Sequence, residues 1–131
     1  MKYNKTIDDI SYDIIGACIK IHRKLGPGLL ESVYEEVLYY ELSINLGYQV
    51  ERQKPIDIIY ESIKMEKGFR ADLIVENKVL IELKSVETVI NMFKKTTLTY
   101  LKLTKIKLGL LINFNEEVLK DGITRIVNSH Y

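Results

Sequence analysis

The sequence predicts an α/β fold of the α+β kind, in which helices flank a mixed β-sheet. Three observations predict it. Apolar residues recur at three- and four-residue spacing in two segments near the start of the chain, which is typical of amphipathic helices. A middle region rich in Val, Ile and Leu is divided by short polar breaks, as expected for strands joined by turns. A third helical segment then precedes a nearly continuous apolar run at 106–114, which indicates a buried central strand.

Length and composition predict one globular domain over residues 1–131. Hydrophobic residues make up 47% of the chain and charged residues 28%, as is usual for globular proteins. The single cysteine, Cys18, excludes an intrachain disulfide framework and favours a reducing, cytoplasmic setting. With His22 and His130 as the only histidines, no Cys/His zinc cluster is expected. No apolar run has transmembrane length, so no membrane association is expected either.

Two helices are predicted in the first third of the chain. The first covers 7–25, with Thr6 as its N-cap and Gly26 as the residue that ends it. The second covers 29–46 and is closed by Gly47. Cys18 falls on the apolar side of the first helix, so we expect a small buried core residue there rather than a nucleophile.

Six strands and a third helix are predicted after Gly47. The strands occupy residues 48–53, 56–60, 69–75, 79–85, 106–114 and 122–128. Pro55 lies between the first two, which indicates either an edge strand or the start of a strand. The first four strands are expected to form one antiparallel sheet. The third helix, over 88–103, crosses over so that 106–114 runs parallel to 79–85. Val89, Met92, Phe93, Thr96, Tyr100 and Leu103 keep helical spacing and are assigned to its apolar side.

The hairpin at 69–85 is the segment in which the sequence predicts chemistry. If its loop has three residues centred on Asn77, residue i lies opposite residue 154 − i, and Asp72 faces Glu82. Two carboxylates facing each other destabilise a strand pair unless a cation lies between them or Lys84, on the same face, partly neutralises them. Lys84 shares their face, and the ligand set fits a hard divalent cation such as Mg²⁺. A two-residue loop would instead place Asp72 opposite residue 81 or 83, and each residue alone is also compatible with a solvated face.

The other face of the same hairpin is predicted to be buried. Successive side chains of a strand point to opposite faces of the sheet. The apolar residues that share a face are therefore expected to pack as one group: Phe69, Ala71, Leu73, Val75, Val79, Ile81 and Leu83.

Further candidates come from the helices. Glu31 and Tyr34 are three residues apart and share a helix face. Glu31 is either a first-turn acid favoured by the helix N-terminus or a third carboxylate aimed at the polar face of the hairpin. Tyr34 and Tyr100 are the tyrosines for which stacking on nucleic-acid bases is weighted above packing.

Positive charge is concentrated late in the chain. From Lys84 to Lys107 there are six lysines against one acid, Glu87. This stretch, with Lys94 and Lys95 in the third helix, is either a phosphate-contacting surface or a solvated helix face, and charge alone does not separate the two.

Two motifs resemble those of known proteins. Asp72, a gap of nine residues, and then Glu82-Leu83-Lys84 resembles the Asp…(Asp/Glu)-x-Lys signature of the PD-(D/E)xK nuclease superfamily, although Ala71 replaces the proline. The segment from Gly28 to Tyr34, Gly-Leu-Leu-Glu-Ser-Val-Tyr, matches the motif of the GxxExxY family, which is placed with those nuclease-like folds. Segments at 15–35, 69–84 and 108–114 resemble the same family in the same order, so the resemblance spans about residues 10–127.

The resemblance implies a restriction-endonuclease-like core of α-β-β-β-α-β order with an extra N-terminal helix. It implies that Asp72, Glu82 and the backbone carbonyl of Leu83 hold Mg²⁺ or Mn²⁺. Glu31 would complete the metal shell or align a water molecule. Lys84 would orient or help deprotonate the attacking water and stabilise the charge that develops on the phosphate.

One departure from the family pattern concerns the third helix. Thr96 and Phe93 occupy positions where the family usually carries a glutamine and a histidine. Thr96 offers only a short hydroxyl and Phe93 no hydrogen-bonding group, so we expect weaker cleavage or a different substrate geometry. Tyr34, Tyr100, Thr96, Lys94 and Lys95 are predicted to contact substrate.

The leading hypothesis is a metal-dependent nuclease, acting on DNA in preference to RNA. Because small proteins of this fold often act as dimers, a homodimer is left open by analogy. An alternative is a catalytically weak or inactive nuclease-like module that binds nucleic acid or a protein partner. A protein-interaction adaptor with no nucleic-acid role is a third hypothesis, under which Lys94, Lys95 and Lys102 could be neutralised without effect on DNA or RNA binding.

Overall fold

A five-stranded mixed sheet with helices on both faces is the centre of the computed structural model, which describes residues 5–66 and 68–129. The helices are α1 (Ile7–Leu25), α2 (Glu31–Tyr40) and α3 (Asn91–Thr104), with a π-helical turn at Glu41–Asn45 and a 3₁₀ turn at Leu119–Gly122. The strands are β1 (Val50–Pro55), β2 (Ile58–Tyr60), β3 (Ile63–Met65), β4 (Arg70–Val75), β5 (Val79–Lys84), β6 (Leu108–Asn113) and β7 (Ile123–Val127). None of the described helices is both long and apolar enough to cross a bilayer.

The strand order in the large sheet is β1-β4-β5-β6-β7. β4 and β5 form an antiparallel hairpin, and β5 and β6 run parallel because α3 carries the chain back between them. β1 and β7 are antiparallel edge strands. This architecture confirms the predicted α/β fold with a mixed sheet, and it places Pro55 on an edge strand as expected.

The prediction that residues 56–60 join the large sheet is wrong. Within the described part of the chain, β2 and β3 pair only with each other, as a separate two-stranded sheet. The chain leaves the large sheet after Ile56, whose N–H donates to the Phe69 carbonyl at 2.8 Å. Glu61, with a φ of +53°, lies in the tight turn between β2 and β3. The two strands therefore pair with each other as a short hairpin, which needs less loop closure than pairing with a distant strand.

α1 has the limits that the sequence predicts. Thr6 accepts a hydrogen bond from the Asp9 N–H, and the Asp9 carboxylate accepts one from the Thr6 N–H, which forms a capping box. Gly26 ends the helix with a φ of +70°, a conformation that glycine adopts without steric cost. α2 begins two residues later than predicted, at Glu31.

The apolar residues form two buried clusters, one on each face of the sheet. The larger cluster lies beneath α1 and α2 and contains Cys18 and Phe114. Burial raises the pKa of the Cys18 thiol, which confirms a core residue rather than a reactive one. The smaller cluster lies beneath α3 and contains Ile74, Leu80 and Leu101.

The β4–β5 hairpin has the register that a three-residue turn predicts. Leu73 pairs with Ile81, so residue i does lie opposite residue 154 − i. Glu76 and Asn77 both have positive φ values, +52° and +54°. Such values are typical of the tight hairpin turns whose twist matches that of the flanking strands.

The predicted burial of the hairpin's apolar face as one group is only partly right. Its members from Leu73 onward lie in the larger cluster. Ala71 packs in the smaller cluster instead, and Phe69 is 44% exposed and meets the Tyr100 ring edge-on. The alternation of side chains therefore changes at Asp72, where the regular strand geometry is interrupted.

α3 buries a different face from the predicted one. Thr97 and Leu101 are its buried residues, whereas Phe93 and Tyr100, which were assigned to the apolar side, are only partly buried. The reason lies in β6: a Cβ atom built on Gly109 would be 3.1 Å from Thr97 Cγ2 and 3.2 Å from Leu101 Cδ1. The missing side chain lets α3 approach the sheet at Thr97, which turns Phe93 and Tyr100 toward the end of β5.

Candidate active site

The candidate active site lies where β4 and β5 separate. Paired backbone residues of the two strands end at Leu73 and Ile81. Beyond them, Asp72 Oδ2 accepts a hydrogen bond from the Leu83 N–H at 2.8 Å, and the Asp72 N–H donates to Glu82 Oε1 at 3.4 Å. Each carboxylate thus bonds to the other strand's backbone, and the structure brings Asp72 and Glu82 together as the register predicts.

The backbone of Leu83 faces the same gap. The next carbonyl, that of Lys84, accepts a hydrogen bond from the Phe114 N–H at 2.9 Å, on the opposite side of β5. Because the N–H and C=O of one strand residue point to the same side, the Leu83 carbonyl points toward β4 and Asp72. Carboxylate and carbonyl oxygens are the donors that hard divalent cations prefer, so these residues fit the predicted metal.

Glu82 is buried, with 8% of its surface exposed. Burial, and then the negative charge of Asp72, raise the pKa of Glu82 to about 9, although Lys84 acts in the opposite direction. Glu82 is therefore protonated at neutral pH as the protein stands. A positive charge placed between the two carboxylates would favour the ionised form instead.

This pKa predicts how stability depends on pH without divalent cations. The folded-state pKa of Glu82 exceeds its usual 4.5, so its contribution is complete below about pH 4.5 and is lost as pH rises toward 9. Glu82→Gln stays neutral. In EDTA its melting temperature should therefore exceed that of the wild type by several degrees more at pH 8 than at pH 5.

Thermal unfolding of both proteins in EDTA at the two pH values measures this difference. Glu87→Gln, which changes an exposed residue shortly after β5, is the matched control and should show no such widening. An equal gap between Glu82→Gln and wild type at both pH values would contradict the prediction.

Lys84 lies beside Glu82 on the same face of β5. Its Nζ atom is 4.3 Å from the centroid of the Phe93 ring, a cation–π contact with α3. The two residues line a cleft of about 250 Å³ whose other walls come from α3: Met92, Phe93, Thr96, Thr97 and Tyr100. The cleft therefore joins the charged end of β5 to the partly buried face of α3.

Among the residues predicted to contact substrate, Thr96 and Tyr100 line this cleft. Burial, and then the charges of Glu82 and Asp72, raise the pKa of Tyr100, so its hydroxyl stays protonated beside the carboxylates. Lys94 and Lys95 are exposed on α3 next to Phe93. These four positions are compatible with substrate contact, which stays a prediction.

The structure does not bring Glu31 to this pair. Glu31 is exposed in the first turn of α2, and it lines a separate cleft of about 450 Å³ with Leu29, Ser85 and Asn115. Among the described residues, no third Asp, Glu, His or Cys completes a metal-binding group with Asp72 and Glu82. The role of Glu31 as a metal ligand therefore stays a prediction.

The prediction that Tyr34 stacks on bases is wrong. Its ring is fully buried, and it stacks on Phe114 with 4.3 Å between centroids. Its hydroxyl donates to the Gly26 carbonyl at 2.6 Å and accepts from the Leu29 N–H at 3.1 Å. Tyr34 fixes the loop between α1 and α2, and none of its ring surface is left for a base.

Sequence reasoning missed two polar residues that are linked to Asp72. Gln53 Nε2, on β1, donates to Asp72 Oδ1 at 3.2 Å and to Glu35 Oε1 at 2.5 Å. The sequence offers one signal for Glu35, which follows Glu31 by one helical turn on the same face. Gln53 lies opposite Asp72 only through the β1–β4 register, which joins distant segments and comes from the structure.

Comparison with known families places most of the chain in one of them. Residues 8–126 match the family model described as the PD-(D/E)XK nuclease superfamily. No curated protein and no solved structure shows a significant match to the chain. The matched range contains all of the candidate site residues, and the narrower GxxExxY resemblance stays a prediction.

Proposed function

Because the chain belongs to the PD-(D/E)XK nuclease superfamily, we propose that it is a divalent-metal-dependent nuclease in which Asp72, Glu82 and Lys84 cleave phosphodiester bonds. The observation that carries this proposal is the junction of β4 and β5. There two carboxylates and a backbone carbonyl converge beside a lysine. PD-(D/E)XK nucleases generally use divalent metal ions, and Mg²⁺ or Mn²⁺ fits these oxygen donors.

In this proposal Asp72, Glu82 and the Leu83 carbonyl hold the cation. When bound, the cation supplies positive charge next to the phosphate and lowers the pKa of water. Asp72 is already oriented by the Leu83 N–H, so little reorganisation is needed. When the cation displaces the proton of Glu82, burial strengthens the attraction between the ionised carboxylate and the cation, because fewer water molecules screen it.

Lys84 supplies the positive charge that the chain itself brings to the reaction. Its ammonium group, held over the Phe93 ring, orients the attacking water and balances the negative charge that develops on the phosphate. Thr96 and Tyr100 contact the substrate within the cleft, and Lys94 and Lys95 contact phosphates outside it. The substrate is nucleic acid, with DNA preferred to RNA.

A second candidate function is a nuclease-like module that binds nucleic acid or a protein partner without cleaving it. The α3 wall of the cleft favours this candidate, since Met92 and Phe93 present apolar groups to Glu82 and Lys84. Thr96 adds only a short hydroxyl.

A cleavage assay tests the proposal. The substrates are single-stranded DNA, double-stranded DNA, a branched DNA junction and RNA, each incubated with Mg²⁺, Mn²⁺ or EDTA. We expect cutting that depends on the cation and is abolished in Asp72→Asn. Asp121→Asn, which alters an exposed carboxylate in the 3₁₀ turn, should cut like the wild type.

The same substrates are also used in a gel-shift binding assay. Salt-sensitive binding without cutting would overturn the nuclease proposal in favour of the binding module. Cutting that persists in Asp72→Asn would show that another part of the chain, or a contaminant, carries the activity.

A further inference from the structure

We propose that Gln53 is a positioning residue for the active site, because its side-chain amide fixes the Asp72 carboxylate and ties it to Glu35 on α2. This inference rests on the proposed function, in which Asp72 is a metal ligand. It adds to the site a residue from the edge strand β1 and one from α2.

Both oxygens of the Asp72 carboxylate are engaged. Oδ2 accepts from the Leu83 N–H at 2.8 Å, and Oδ1 accepts from Gln53 Nε2 at 3.2 Å. A carboxylate held at both oxygens cannot rotate about its Cβ–Cγ bond without losing a hydrogen bond. The orientation that Asp72 presents to a cation is therefore set from two strands at once.

The same amide group holds a second carboxylate. Gln53 Nε2 donates to Glu35 Oε1, so one NH₂ group lies between the carboxylates of α2 and β4. The two N–H bonds of this neutral amide let each carboxylate accept a hydrogen bond from the same nitrogen. Gln53 therefore links Asp72 to Glu35, whose negative charge is balanced by Arg52.

Glu35 is itself firmly held. It is buried, with 9% of its surface exposed, and its Oε2 atom accepts from Arg52 at 3.2 Å. The Arg52 guanidinium also pairs with Glu36 at 2.8 Å and lies 5.0 Å from the centroid of the Tyr39 ring. Because α2 anchors Arg52 at three residues, the amide of Gln53 is bonded to a fixed partner.

The backbone of Gln53 points to the same role. Its φ is +48°, in the left-handed region that residues other than Gly, Asn and Asp rarely adopt. Paired residues are found on either side, Arg52 with Leu73 and Lys54 with Ala71, but not at Gln53 and Asp72. This strained conformation directs the amide to Glu35 and Asp72 in place of regular pairing.

Calorimetric titration of Mn²⁺ into the full chain tests the role. The variants are Gln53→Gly, which also relieves the backbone strain, Gln53→Met, which keeps the side-chain length, and Asp72→Asn. Gln49→Met is the matched control, since Gln49 is exposed just before β1 and its side chain makes no hydrogen bond among the described contacts. Thermal unfolding in EDTA accompanies each titration.

We expect Asp72→Asn to lose Mn²⁺ binding and both Gln53 variants to bind it about 10- to 100-fold more weakly, the usual effect of losing a partner of a metal ligand. Gln53→Gly should keep the melting temperature of the wild type within a few degrees. If the amide had a purely structural role, weaker Mn²⁺ binding would be accompanied by a clearly lower melting temperature. Gln49→Met should bind like the wild type.

Two different failures are distinguishable in this experiment. If the wild type binds Mn²⁺ and the Gln53 variants match Gln49→Met, the positioning role is overturned while the proposed function stands. If the wild type binds no Mn²⁺ at all, the metal-dependent function is overturned, and the role of Gln53 with it.

Discussion

Lys84→Met is expected to lower the rate of cleavage by about 10²- to 10⁴-fold, the range that a positioned acid–base group contributes. Methionine keeps most of the side-chain volume and can still contact the Phe93 ring, but it has no charge and no donor. The fold should be preserved, because Lys84 is only partly buried and methionine can keep its contact with Phe93. Single-turnover cleavage of the best substrate, with Mg²⁺ at saturation, measures the effect.

Two comparisons make this result specific to the site. Lys120→Met removes a charge from the 3₁₀ turn that packs against α1, away from the cleft, and should cleave at the wild-type rate. Mn²⁺ affinity should change far less in Lys84→Met than in Asp72→Asn, because a lysine is not a metal ligand. Cleavage by Lys84→Met at the wild-type rate would remove Lys84 from the mechanism.

Tyr34→Ala is expected to destabilise the protein by about 3–5 kcal/mol, the usual cost of removing a large buried side chain. The substitution leaves a cavity against Phe114, and it deprives the Gly26 carbonyl and the Leu29 N–H of their hydrogen-bond partner. Urea unfolding followed by circular dichroism measures the change in the free energy of unfolding.

Related variants separate packing from hydrogen bonding. Tyr34→Phe keeps the ring and should cost only about 1–3 kcal/mol, for the two backbone groups left without the hydroxyl. Tyr40→Ala changes a half-exposed ring at the end of α2 and should stay within about 1 kcal/mol of the wild type. A Tyr34→Ala protein that is as stable as the wild type but binds nucleic acid weakly would restore the base-stacking role.

The elements whose signals are local were predicted well. α1 has its predicted limits because Thr6, Asp9 and Gly26 act within a few residues of the helix ends. The register of the β4–β5 hairpin follows from a short turn, and it places Asp72 and Glu82 across from each other, although the paired residues end at Leu73 and Ile81. The apolar run of β6 predicts a buried strand wherever its neighbours lie.

Features that depend on distant segments were predicted less well. The spacing of α3 indicates an amphipathic helix, but its buried face was decided by the absence of a side chain at Gly109 on β6. Tyr34 shares a helix face with Glu31, and only the position of Phe114 shows that this ring is buried. β2 and β3 have the composition of strands, but the sequence does not show which strands they pair with. They pair with each other because the chain leaves the large sheet after Ile56.

The sequence by itself determined the limits of α1 and the register of the β4–β5 hairpin, which places Asp72 and Glu82 across from each other, because capping and turn chemistry act between neighbours. Only the tertiary structure decided that Gln53 and Glu35 reach Asp72 and that Phe93 holds Lys84. Those contacts join β1, α2 and α3 to the hairpin. Their geometry is set by the packing of both clusters against the sheet, which no short stretch of sequence specifies.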